Sequence, residues 1–387
     1  MRIRRNILIL YFVALLQGMV FYGPIATLYR QASGIGIFQI ALIESFSVAL
    51  SLLLELPWGV IADRIGYRRT LLLCNALFFL SKVVFWRANG FGSFLLERVM
   101  LAVVLAGLSG VDTSVLYLSC EKDRAQGVFG VYQNLGTAGL LVAAVIYTSF
   151  IGDDYRLAGF LTVLSYGLAS LLTLGIREVR PESPRNDRAA TLRPILFTLL
   201  KDRRYLLFLV GAALLIETNQ TVTVFLSQLQ FVRSGMGSAA IGSAYLLVTL
   251  AGLWGGFSAR LTRRLTAKRF GILLYASAAL SCLALSGMRL AAASVFAIML
   301  LRASACLFQP LLTDIQSSRI RSADRATALS ANAVIIESVA IVTNLAFGGM
   351  AKRNLPGAMW MGAAFCTIGL LLFSKLKWEE PYGQANI

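Results

Sequence analysis

Stretches of roughly 20 mostly apolar residues follow one another along this chain, set apart by charge clusters or Gly/Pro turns. Twenty helical residues rise about 30 Å, which matches the hydrocarbon core of a bilayer. The predicted spans are 6–29, 37–61, 69–87, 93–118, 126–150, 157–176, 205–229, 239–259, 270–287, 291–315, 327–350 and 356–374. Composition agrees: 57% of the 387 residues are apolar and 14% charged, where a water-soluble domain carries about 25% charged residues. The expected fold class is an all-α polytopic membrane protein with 12 transmembrane helices. Its first apolar segment, after Arg2, Arg4 and Arg5, is read as a retained helix and not as a cleaved signal.

The net charge of +17 raises the question of nucleic acid. A nucleic-acid binder gathers its Lys and Arg on one arm or groove. Here they lie in short clusters between apolar segments, so no nucleic-acid partner is expected. With the N-terminus inside, 26 Lys and Arg fall on the cytoplasmic side and 7 on the other. That asymmetry follows the positive-inside rule and predicts that both termini are cytoplasmic. The chain has no histidine, and its five cysteines (Cys74, Cys120, Cys282, Cys306 and Cys366) form no CxxC pair. Neither a metal framework nor a disulfide scaffold is expected, and no cofactor.

The longest polar stretch, 177–204, contains Arg177-Glu-Val-Arg-Pro-Glu-Ser-Pro-Arg and cannot cross lipid. It reads as a cytoplasmic linker with a basic surface helix near Leu192–Arg204. The expected division is a six-helix half over 1–176, the linker over 177–204 and a second half over 205–387. The halves echo each other. Trp58-Gly59 with Arg64 recurs 196 positions later as Trp254-Gly255 with Arg260. Two parallel six-helix repeats are a recurring transporter architecture.

The loop after the second span reads Gly59-Val-Ile-Ala-Asp63-Arg64-Ile-Gly66-Tyr-Arg68-Arg69. It resembles the G-x-x-x-D-R-x-G-R-R signature of the major facilitator superfamily. Gly59 allows close helix approach, and Asp63 can accept from helix N-terminal amides or a neighbouring Arg. Gly66 permits a tight turn, and the Arg pair holds the loop at an anionic leaflet. In the second copy Ala259 stands where Asp63 would be, so an acid-based latch is expected in the first half alone. Ser109-Gly110-Val-Asp112-Thr-Ser-Val-Leu-Tyr117-Leu-Ser119 and Arg325-Ala326-Thr327-Ala-Leu329-Ser330 are similar to patterns of one bacterial branch rich in drug and metabolite exporters. The fifth span has Gly136-Thr-Ala-Gly139 without the proline of the exporter signature.

Polar groups inside lipid usually face water or a partner. Glu217, Gln220, Thr221 and Gln228 fall on one predicted helical face of the seventh span. Arg302, Cys306, Gln309 and Thr313 share a face of the tenth, and Glu44, Ser47, Ser51 and Glu55 one of the second. Glu337 and Asn344 lie on the eleventh. The family resemblance implies that helices 1, 4, 7 and 10 line a central cavity, flanked by 2, 5, 8 and 11. Proton coupling is expected of Glu217, Glu337 or Asp112, since a carboxyl withdrawn from water can hold and release a proton. Gln17, Phe21, Glu44, Gln220, Thr221, Arg302 and Gln309 are the candidate substrate contacts. Each has a plainer alternative. Glu337 can neutralise Arg302, Asp112 can pair with Arg124, and Gln17 can simply donate an interhelical hydrogen bond.

No G-x-x-x-x-G-K-[ST] loop is present to suggest ATP hydrolysis, and no nucleophile constellation suggests an enzyme. The expectation is a monomeric secondary transporter in the bacterial cytoplasmic (inner) membrane. It would work by alternating access and carry a small amphipathic compound or drug outward in exchange for protons. The alternatives are proton-coupled uptake of a small anionic metabolite, with Arg302 on its carboxylate or phosphate, and a non-transporting membrane sensor.

Overall fold

The computed structural model describes residues 2–121, 125–179, 199, 201–318 and 325–375. Twelve of its helices are long and apolar enough to cross a membrane. They are Arg5–Ala32, Ile37–Glu55, Tyr67–Arg87, Phe91–Leu118, Gly127–Ile151, Tyr155–Thr173, Arg203–Arg233, Ser238–Leu265, Ala267–Gly287, Ala291–Ser318, Ala328–Arg353 and Leu355–Ser374, spans 1 to 12 below. Each predicted span overlaps one of these. The ends differ most, by six residues, at span 2, which stops at Glu55, and at span 8, which runs on to Leu265. The proposed surface helix near Leu192–Arg204 lies largely outside the described residues. Its last two arginines belong to span 7, whose helix starts at Arg203 with Asp202 as its cap, accepting from Tyr205 N.

The chain forms two compact units. One is built on spans 1–6 together with residues 237–246, the other on spans 7–12 without that piece.

Several spans are interrupted, and each interruption has a local cause. Span 1 is helical over Arg2–Gly18, unwinds, and resumes through Gly23–Ile25 into Ala26–Ala32. Pro24, at the second position of that short turn, has no N–H to give to a continuous helix. Side chains of span 6 satisfy the freed backbone. Thr162 Oγ1 accepts from Phe21 N at 3.0 Å, Ser165 Oγ donates to Leu16 O at 2.5 Å, and Tyr166 Oη donates to Gln17 O at 2.7 Å. Lipid could not supply those partners. Span 4 breaks at Gly110 in the left-handed region (φ 76°), which joins Phe91–Leu108 to Val111–Leu118. Span 7 carries a π-helical segment, Thr221–Leu226. Span 8 tightens to a 3-10 helix over Gly252–Phe257.

Small residues let the helices approach closely. A Cβ on Gly18 would collide with the Gly136 carbonyl, and one on Gly139 with the Leu15 carbonyl. The Gly136–Gly139 pair is thus the seat of span 1 on span 5. Gly107 faces Cys74 and the Trp58 indole, where an added Cβ would lie 2.5 and 3.2 Å away. In the other unit Gly255 lies against the Cys306 carbonyl, at 2.9 Å from such a Cβ. Gly255 thus marks a close crossing of spans 8 and 10, whereas in the first copy Gly107 of span 4 is the close glycine and Gly59, expected to allow close approach, has open space.

Candidate functional site

Among the described residues, a chain of charges runs through the first unit, with Arg30, Lys82 and Glu97 buried and Glu44 and Arg98 half-buried. Arg30 Nη1 lies 3.1 Å from Glu44 Oε1, and Arg98 Nη2 is 2.6 Å from the same oxygen. Arg98 Nε is 3.4 Å from Glu97 Oε2, and Lys82 Nζ is 3.5 Å from Glu97 Oε1. Cation and anion alternate along five residues of spans 1 to 4, with a cation at each end. All four ion pairs found among the described residues belong to this chain.

Aromatic rings enclose its ends. Lys82 Nζ donates to Tyr22 Oη at 3.1 Å and lies 5.1 to 5.8 Å from the ring centroids of Phe78, Tyr166 and Tyr22. Arg30 lies 5.7 Å from the Phe85 centroid, and Phe85 stacks on Tyr22 at 4.0 Å. Rings attract a cation through their quadrupoles, an effect that strengthens out of water. Tyr22 is the last residue of the interruption of span 1, and the unwound segment brings its hydroxyl to Lys82.

Sequence reasoning singles out Glu44 here but not Glu97, and Arg30 falls one residue past the predicted first span, 6–29. The signal was present in Glu97-Arg98, two adjacent charges inside an otherwise apolar span. Ser47, on the Glu44 stripe, donates to Arg98 O at 3.3 Å, whereas Glu55 is exposed and accepts from Ser109 Oγ at 3.5 Å. That stripe serves two different contacts.

Gln17 donates to Asn75 Oδ1 on span 3 at 2.6 Å, while Phe21 is buried and held through its backbone by Thr162. Asp112, in the first turn after the Gly110 break, accepts from Thr113 N at 2.7 Å and from Tyr132 Oη on span 5 at 3.0 Å. Its suggested partner Arg124 lies outside the described residues.

In the second unit Glu217 and Glu337 are both half-buried, and Glu337 is close enough for its charge to act on Glu217. Thr221 is buried and donates to Asn344 on span 11 at 3.0 Å. Gln220, one residue earlier, is exposed, while Gln228 is buried and donates to Val224 O at 3.1 Å. The predicted single face over Glu217–Gln228 therefore splits. The wider π-helical turn at Thr221–Leu226 changes the angular step, so Gln228 beyond it leaves the face that a regular helix would give, whereas Gln220 lies before it. Such segments are frequent at functional sites. Arg302 does not join Glu337 among the ion pairs of the described residues. It lies beside span 8, where a Cβ on Gly252 would be 3.3 Å from its Nε. Gln309 is exposed, and its carbonyl accepts from Thr313.

The signature loop forms a one-residue turn. The helix of span 2 continues past Glu55 to Ile65, Gly66 has φ 91° and ψ 153°, and the next helix starts at Tyr67. Arg68 Nε donates to Ile176 O at 2.7 Å, and Arg68 N donates to Glu178 Oε1 at 3.4 Å. Asn6 exchanges hydrogen bonds with the Arg177 backbone at 3.0 and 3.1 Å and reaches Ser119 Oγ at 3.3 Å. Beneath them pack Leu10, Tyr67, Leu71, Val115 and Ile176. The loop is thus tied to the ends of spans 1, 4 and 6. Arg64 and Arg69 are exposed, Gly59 has open space where a Cβ would stand, and the Asp63 side chain is outside what is described.

No curated protein matches the chain by sequence. Among solved structures, a mutant form of the nucleoside transporter NupG superposes with a TM-score of 0.83 at 13% identity, covering 96% of this chain and 100% of its own. A D-xylose-proton symporter gives 0.73 at 14%, covering 97% and 98%. A bacterial homologue of the human lysosomal transporter Spinster gives 0.72 at 16%, covering 96% and 95%. These likenesses concern the fold. The family model of the Major Facilitator Superfamily matches residues 7–344. With its twelve membrane-spanning helices, the chain belongs to the Major Facilitator Superfamily and is a multi-pass membrane transporter.

Proposed function

We propose that the protein is a proton-coupled secondary transporter that moves a small amphipathic compound by alternating access, with export as the favoured direction and the bacterial cytoplasmic membrane as its site. The observation that carries the proton coupling is the placement of Glu217 and Glu337, both half-buried on membrane-spanning helices of the second unit. Two carboxyls within electrostatic reach, away from bulk water, can hold one proton between them and give it up when the surroundings become wet. Glu217 takes part in none of the ion pairs among the described residues, so its charge can change without stranding a cation. Asp112, bonded to Tyr132, is the second candidate.

The signature loop serves as the cytoplasmic gate in this reading, with Gly59, Asp63, Arg64, Gly66, Arg68 and Arg69 setting its shape and charge. Division into halves 1–176 and 205–387, cytoplasmic termini and a monomeric unit complete the proposal. Gln220 and Gln309, both exposed, are the freer substrate contacts, and Phe21, Glu44 and Arg302 supply apolar and charged ones. Gln17 and Thr221 are engaged in interhelical bonds.

Proton-coupled uptake of an anionic solute is the second reading. It is favoured by the excess of cations in the buried charge chain. The test is transport of a compound panel in proteoliposomes with an imposed pH gradient. Gradient-dependent movement that a protonophore abolishes supports proton coupling. Movement insensitive to the gradient contradicts it. The direction of flux against the gradient separates export from uptake.

A further inference from the structure

The charge chain of the first unit does not balance. Arg30, Lys82 and Arg98 face two carboxylates, Glu44 and Glu97, leaving one positive charge in excess within membrane-spanning segments. An unbalanced charge in a low dielectric costs several kcal/mol. The two end cations are enclosed, Lys82 by three rings and Arg30 with only 3% of its side chain exposed. Arg98 is the most open member of the chain at 19% side-chain exposure, and Glu44 beside it shows 12%. Arg98 Nε is buried without a hydrogen-bond partner, because its approach to Glu97 is an ion pair of poor alignment. Arg98 also competes with Arg30 for one oxygen, Glu44 Oε1.

We propose that Arg98 is the anchor for a small monoanionic carboxylate, and that Glu44 holds its place when the site is empty. A single negative charge balances the chain, whereas a dianion would overshoot. The guanidinium fork matches a carboxylate in two parallel hydrogen bonds, which a point charge cannot do. Tyr22 and Phe85, stacked on each other and buried next to the chain, bring no carboxylate to answer the excess charge. The arriving carboxylate displaces Glu44 from Arg98, and Glu44 remains bonded to Arg30. The proposal rests on the chain being a solute transporter and names the substrate class.

Binding of radiolabelled benzoate to the full chain in lipid nanodiscs tests it, with benzamide as the uncharged match. Benzoate is expected to bind at least about tenfold more tightly than benzamide, a difference of about 1.4 kcal/mol. Glu44→Gln removes the competitor and tightens benzoate binding severalfold. Arg98→Lys keeps the charge, and with it the folded chain, but loses the fork and weakens binding about tenfold. Equal binding of benzoate and benzamide, or benzoate binding unchanged in Arg98→Lys, overturns the proposal. Gradient-driven transport of neutral panel compounds by a protein that ignores benzoate leaves proton coupling standing and removes the anion site. Benzoate binding by a protein that ignores the gradient does the reverse.

Discussion

Gly66 and Thr266 have the same backbone shape, φ 91° with ψ 153° and φ 65° with ψ 149°, and each is the lone residue between two helices. The turn after span 2 is thus repeated after span 8, with a threonine where the first copy has glycine. A β-branched residue at positive φ is strained by roughly 1–3 kcal/mol, held there by its surroundings. Thr266→Gly is expected to raise the melting temperature in detergent, because relief of strain exceeds the added chain entropy of about 0.5–1 kcal/mol. A lowered melting temperature would show that Thr266 is not strained.

Gly66→Ala goes the other way. The new Cβ takes a positive φ and would stand 2.9 Å from Glu178 Oε2. The expected cost is about 1–3 kcal/mol, read as a lower melting temperature. Combining it with Glu178→Ala should return the part due to the clash and leave the part due to φ. Full recovery in the double variant would contradict the backbone contribution.

The repeat shows what could be read in the sequence and what could not. Twelve spans were legible because apolar length is a one-dimensional property. The Trp58/Trp254 echo marked the second copy, but span 8 has four more residues between its echoed arginine (Arg260) and the turn than span 2 has after Arg64, about one helical turn. That displaced Thr266 from the position where a glycine equivalent would be sought. The charge chain was harder to see. Arg30, Glu44, Lys82 and Glu97 come from four different spans, and only helix packing brings them together. Gln228 could not be placed on the Glu217 face from the sequence, because the regular helical period fails across the π-helical segment between them.

Lys82 and Glu97 should be energetically coupled. Glu97→Gln leaves three cations facing Glu44 alone and is expected to cost about 3–5 kcal/mol. Lys82→Met leaves two cations facing two carboxylates, with Glu97 still beside Arg98, and is expected to cost clearly less. The double variant should be clearly more stable than the sum of the two losses, since the excess charge left by Glu97→Gln is then reduced. A double-mutant cycle by thermal unfolding reads the coupling, and strict additivity refutes it.

Arg302 and Glu337 should behave oppositely, since they are not an ion pair among the described residues. The effects of Arg302→Met and Glu337→Gln on stability are expected to add within about 0.5 kcal/mol. Coupling well above that would restore the structural pair that the sequence alone allowed.

Gly139→Val probes the crossing of spans 1 and 5. The valine would meet the Leu15 carbonyl and Gly18, both backbone, so no rotamer relieves the overlap. The yield of monodisperse protein after detergent extraction should fall sharply, because overpacking of a helix contact costs about 1–3 kcal/mol or more. Wild-type yield would place the crossing elsewhere.

The central claim, that Glu217 carries the coupling proton, is tested most directly by Glu217→Gln in proteoliposomes, once the panel has identified a transported compound. The variant mimics the protonated carboxyl permanently. It is expected to retain exchange of labelled for unlabelled compound across the membrane while losing accumulation driven by a pH gradient. Undiminished gradient-driven accumulation by Glu217→Gln would contradict the account and move the role to Glu337 or Asp112.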